Sequence, residues 1–136
     1  MVPLSPHQRE ALEALRLKHR LRIVLAFGSR VKGNVHPASD LDIGILCEVA
    51  PESPTGLLLD LAADLGAVFP ADTVDLALLN RADPLLLGEV SADCQLLAGP
   101  PSDLHVFRIY AFKRRQDHRR WLDLEARTNE RRLTGV

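Results

Sequence analysis

The sequence predicts an α/β (α+β) fold: a mixed sheet of about four strands flanked by helices, with a long C-terminal helix. Residues 23–27 form an unbroken apolar run ending at Gly28, the pattern of a central strand covered on both faces. Residues 40–46 alternate, with Leu41, Ile43 and Ile45 on one side and Asp40, Asp42 and Gly44 on the other, which describes a strand with an acidic face. Along the chain the patterns run helix, strand, strand, helix, strand, helix, strand, helix, an order that packs helices against one sheet.

Ser5-Pro6 supplies an N-cap and a proline at the first helical position, opening an amphipathic helix to about His19 with Ala11, Leu12, Ala14 and Leu15 inward. The two strands follow. Residues 57–68 then read as a helix, 73–79 as a third strand, 84–90 as a short helix and 95–98 as a short edge strand. From about 104 to 133 the pattern is helical, with Phe107, Tyr110, Ala111, His118 and Trp121 near one stripe between charged residues. Such a helix reaches beyond a small core. The stretches 51–55 and 99–103, rich in Pro, Ser and acid, punctuate one domain over residues 1–136, with its core expected at about 22–98.

A chain of 136 residues suits one domain, and 46% hydrophobic with 26% charged residues is the composition of a folded protein rather than a disordered one. Only 4% is aromatic, too little for a base-stacking platform on single-stranded nucleic acid. The net charge of −1 offers no global attraction to nucleic acid or an anionic membrane. Its distribution is uneven: residues 108–132 carry nine Lys/Arg against four Asp/Glu, and the remainder eight against fourteen. The tail is basic and the body acidic. Cys47 and Cys94 show no zinc-ligand spacing and no disulfide framework. No run approaches the ~20 apolar residues of a membrane span, and no signal-peptide pattern opens the chain. A soluble, cytoplasmic protein without membrane or direct nucleic-acid partners is expected.

The chemistry concentrates in residues 27–46, FGSRVKGNVHPASDLDIGIL. Gly28-Ser29 after a buried strand offers a residue without Cβ, a hydroxyl and free backbone N–H groups, which suits a phosphate. The same pair is also ordinary turn punctuation. Asp40 and Asp42, two apart on a strand, place both carboxylates on one face, where they repel and call for a cation. Solvated carboxylates at a strand end are the plainer alternative. Asp75 is a third carboxylate, set in the apolar run 74–79. Arg30 and Lys32 lie in the turn and are candidates for phosphate contact, and His36 lies in the loop before the acidic strand.

Together these features resemble the nucleotidyltransferase superfamily with a polymerase-β-like palm, and within it the minimal nucleotidyltransferases. The shared pattern is Gly28-Ser29, ten residues, then Asp40-Leu41-Asp42, with Gly33 inside the interval, Ser39 before the first Asp and Asp75 on the next strand. The resemblance covers about residues 22–98.

It implies that Asp40, Asp42 and Asp75 are catalytic and metal-binding residues, holding two Mg²⁺ ions on the triphosphate of ATP. It also gives Gly28 and Ser29 the β/γ-phosphates and Asp75 the orientation or deprotonation of the attacking hydroxyl. Many minimal nucleotidyltransferases are antitoxins paired with a HEPN-domain ribonuclease toxin, transferring AMP from ATP to a tyrosine of that toxin. The resemblance therefore implies a hetero-oligomeric partner. The basic C-terminal helix, with Phe107, Tyr110 and Trp121 among arginines, is a surface for it. Two alternatives stand beside this reading: a non-catalytic module that neutralises a toxin sterically, and an adenylyltransferase acting on a small hydroxylated molecule.

Overall fold

The computed structural model of the chain describes residues 1–33 and 39–133, with side chains described as far as 127. Helix α1, Pro6–Lys18, opens with a reciprocal cap: Gln8 N donates to Ser5 Oγ at 3.1 Å and Ser5 N to Gln8 Oε1 at 2.9 Å. This satisfies two amides that the helix itself leaves unpaired. Leu12 and Leu15 are buried, whereas Ala14 faces outward. Strand β1 is Leu21–Phe27, and a single helical turn, α2 (Ser29–Lys32), follows it. Strand β2 is Leu41–Cys47 and helix α3 is Pro54–Val68. Strand β3, Val74–Leu78, is shorter than expected. A 3₁₀ turn over Leu79–Arg81 ends it and buries Leu79. Helix α4, Pro84–Ala92, is capped by Asp83, whose carboxylate accepts from the amides of Leu85 and Leu86. Strand β4 is Cys94–Ala98 and helix α5 is Pro101–Leu133. One proline of each linker-like stretch, Pro54 and Pro101, begins a helix, because a proline at the first helical position gives up an amide that has no partner there anyway.

The sheet order is β3-β2-β1-β4, with β2 and β3 parallel and the other pairs antiparallel. Helix α3 makes the crossover that parallel neighbours require. The register of β1 on β2 shifts between Leu21 and Ile23. That bulge lets the near-continuous apolar strand fill both faces, with Leu21, Val24 and Ala26 in one core cluster and Ile23 and Leu25 in the other. The first cluster joins the sheet to Leu12 and Leu15 of α1 and Leu61 and Leu65 of α3. The second joins it to Leu87 and Val90 of α4 and Phe107 and Ala111 of α5.

Helix α5 has 33 residues, about 50 Å at 1.5 Å per residue. Phe107 and Ala111 anchor its first part, and from 112 to 127 no side chain is buried. The expected aromatic stripe therefore divides: Phe107 belongs to the protein's own core, while Tyr110 and Trp121 are exposed at 39% and 58%. No helix of the described residues is long and apolar enough to cross a membrane.

Candidate active site

The two registers that meet on β2 place Phe27, Asp42 and Asp75 in one row across the sheet, and β4 extends the row to Cys94. Directly opposed residues present their side chains to the same face. Here it is the face of α4 and α5, since Phe27 and Cys94 pack against that cluster. Asp42 is half-buried and Asp75 exposed. Asp40 lies one residue before β2, exposed, rather than within the strand. The strand proper begins where Leu41 N donates to Thr73 O at 2.8 Å.

Gly28 closes the row. It has φ 76° and ψ −157° and serves as the N-cap of α2, its carbonyl accepting from the amides of Val31 and Lys32. A Cβ at this position would collide with the Asp42 carboxylate. Glycine is thus required twice, by the left-handed φ and by the close approach of a carboxylate. The Asp42 carboxyl is held above its usual pKa by burial first, then by Asp75, then by Asp40. Its ionised form is strained by lost hydration and by two like charges, and a cation beside it relieves both.

The turn residues separate in role. Arg30 Nη2 donates to Asp72 Oδ1 at 2.6 Å and to the Ser39 carbonyl at 3.3 Å, so the guanidinium is engaged by protein rather than left in solvent for a phosphate. Sequence reasoning missed this link, because Asp72 lies 42 residues away and no local pattern pairs the two. Lys32 is exposed and lines an open cleft of about 430 Å³ that also carries Glu89, Asp93 and Arg115. His36 lies outside the described residues.

Among the described residues no three His, Cys, Asp or Glu side chains form a ready-made metal cage. The donor set still fits Mg²⁺. This ion prefers carboxylate oxygen and is typically bound through one or two carboxylates together with substrate phosphates, and the Asp42 carboxylate sits against Gly28, whose successor Ser29 opens α2.

The fold agrees with what comparison finds. The family described as polymerase beta, nucleotidyltransferase matches residues 10–101; the chain belongs to that family. No curated protein sequence matches it. Among solved structures, it is similar to a chain of a toxin-antitoxin crystallised with AMP-PNP, at 24% identity over 93% of this chain and 94% of that one, with a TM-score of 0.65. It is also similar to a chain of the MntA-HepT toxin-antitoxin, at 20% identity over 96% and 95%, TM-score 0.60. A third likeness is to a chain of the complex between tri-AMPylated Shewanella oneidensis HEPN toxin and MNT antitoxin, at 23% identity over 93% and 94%, TM-score 0.55. These likenesses show that the fold is shared over nearly the whole of each chain.

Proposed function

We propose that the chain is an Mg²⁺-dependent adenylyltransferase antitoxin that transfers AMP from ATP to a tyrosine of a partner HEPN-type ribonuclease toxin. The observation that carries this reading is the opposition of Asp42 and Asp75 across the β2–β3 ladder, with Gly28 leaving room for the Asp42 carboxylate. The solved toxin-antitoxin structures named above, one holding an ATP analogue and one an AMPylated toxin, support the choice of donor and acceptor.

In this reading Gly28 and Ser29 bind the β/γ-phosphates through backbone N–H groups and the hydroxyl. Asp40, Asp42 and Asp75 are the residues that would hold two Mg²⁺ ions, which would supply neutralisation of phosphate charge and polarisation of the α-phosphorus. Asp75, the exposed outer member of the pair, orients the tyrosine hydroxyl and takes up its proton. The phenolic oxygen forms a new bond to the α-phosphorus, the bond from that phosphorus to the α,β-bridging oxygen breaks, and pyrophosphate leaves on the opposite side. The unburied part of α5 provides the surface that receives the toxin.

The test is isotopic. With the toxin as acceptor, label from α-³²P-ATP should enter the protein and label from γ-³²P-ATP should not. A stable complex that takes up neither label would replace this reading with steric neutralisation, and label found only on a small hydroxylated compound would move the acceptor to that class.

A further inference from the structure

We infer that Arg30 is a positioning residue that sets the spacing of the carboxylates, rather than a contact to the nucleotide's phosphates. The inference rests on the reading of Asp40, Asp42 and Asp75 as the reacting cluster, and adds to it what holds them in place. Arg30 stands on α2, one residue after Ser29. Its Nη2 reaches the carbonyl of Ser39, the residue before Asp40, and the carboxylate of Asp72, three residues before Asp75. One guanidinium thus joins the phosphate-binding turn to the starts of both acidic strands. Those strands are in addition pinned at that level by the bond from Leu41 N to Thr73 O.

The burial supports a structural hold. The Arg30 and Asp72 side chains are only 23% and 22% exposed, and Arg30 Nε is buried with no hydrogen-bond partner among the described residues. A guanidinium this little exposed and bonded to a carboxylate and a carbonyl is fixed by its surroundings, unlike a solvated turn arginine awaiting a ligand. Both hydrogen bonds leave one nitrogen, Nη2, whose two N–H groups serve the Ser39 carbonyl and the Asp72 carboxylate from the end of a side chain longer than lysine's.

The experiment compares Arg30→Met, Arg30→Lys, Asp72→Asn and the double variant Arg30→Met/Asp72→Asn in the full chain. It measures ATP affinity by calorimetry, Mn²⁺ affinity by electron paramagnetic resonance with AMP-PNP bound, and kcat for toxin adenylylation. A displaced carboxylate should lower kcat by about 10²-fold in both Arg30→Met and Asp72→Asn and weaken Mn²⁺ binding in both, with ATP affinity within about twofold of wild type. The double variant should be little worse than either single one, because both break the same link. Arg30→Lys, which keeps the charge and fold, should recover at least about tenfold of the lost kcat.

A tenfold or greater loss of ATP affinity in Arg30→Met, with Asp72→Asn unchanged, would overturn the inference and return Arg30 to the phosphates. Additive losses in the double variant would also overturn it. The Mn²⁺ measurement separates this inference from the proposed function. If wild-type protein binds Mn²⁺-AMP-PNP but never modifies the toxin, the function fails while the Mn²⁺ affinities of the variants still decide the role of Arg30. If wild-type protein binds no Mn²⁺-AMP-PNP, the inference falls.

Discussion

The Asp42 carboxylate occupies the space that a side chain on Gly28 would need, so the strand that carries the acid and the turn proposed to carry the phosphates meet with no intervening atom. Gly28→Ala should therefore displace Asp42 as well as strain a left-handed residue. We expect a loss of at least about 10²-fold in transfer rate and a stability cost of about 1–3 kcal/mol from the backbone alone. Gly33 is the control. It also has positive φ, 85°, but a Cβ there meets no described atom within 4 Å. Gly33→Ala, at an αL position, should cost about 1–2 kcal/mol with near-normal activity, measured by denaturant melts beside the label-transfer assay.

Asp42→Asn separates strain from function. The folded-state pKa of Asp42 lies above its unfolded value, so the carboxylate penalises the metal-free fold as pH rises from the unfolded value through the folded one. Removing the charge should leave the metal-free protein at least as stable at neutral pH, while abolishing transfer and the rise in Tm that Mg²⁺-ATP gives wild type. Thermal melts with and without Mg²⁺-ATP check both parts.

The opposite sign applies at Asp64, whose carboxyl is held below its usual pKa by hydrogen bonds from His19 and Lys18. That stabilisation is fully present above the unfolded carboxyl value and is lost as pH falls through the folded one. The pair is partly exposed, 30% at Asp64, so its worth is about 1 kcal/mol or less. Wild type should exceed Asp64→Asn in stability at neutral pH, with the gap closing on acidification, as read from denaturant midpoints across the pH range.

The aromatic residues of α5 should divide by burial. Phe107→Ala removes a fully buried ring and should cost about 3–5 kcal/mol. Trp121→Ala should leave Tm unchanged and weaken the toxin complex. Arg114→Glu/Arg119→Glu should do the same without altering ATP affinity, because both arginines lie on the exposed part of the helix. Arg115 is less suited to this test, since its side chain lies across Gly88 of α4. Titration calorimetry against toxin and against ATP distinguishes the two surfaces.

The parts of this molecule that are local in sequence were legible in it. The apolar run of β1, the alternation of β2 and the Ser5-Pro6 start of α1 each follow from a short pattern, and the Gly28-Ser29 and Asp40, Asp42 spacing pointed to the family that residues 10–101 match. What was not legible depends on register and distance. That Asp42 faces Asp75 is decided by the parallel pairing of β2 with β3, which alternation within either strand does not specify. The four residues of α2 are too short for a helical period to show. Phe107 and Trp121 look alike on a helical wheel, and only the end of the body beneath α5 makes one core and the other surface.

The most direct measurement is the intact mass of the partner toxin after incubation with ATP, Mg²⁺ and this chain, beside a sample containing Asp40→Asn/Asp42→Asn. The account predicts that the toxin gains whole adenylyl groups with the wild-type chain and none with the variant, although both form the complex. Equal adenylylation by both chains would contradict it, as would a stable complex whose mass never changes.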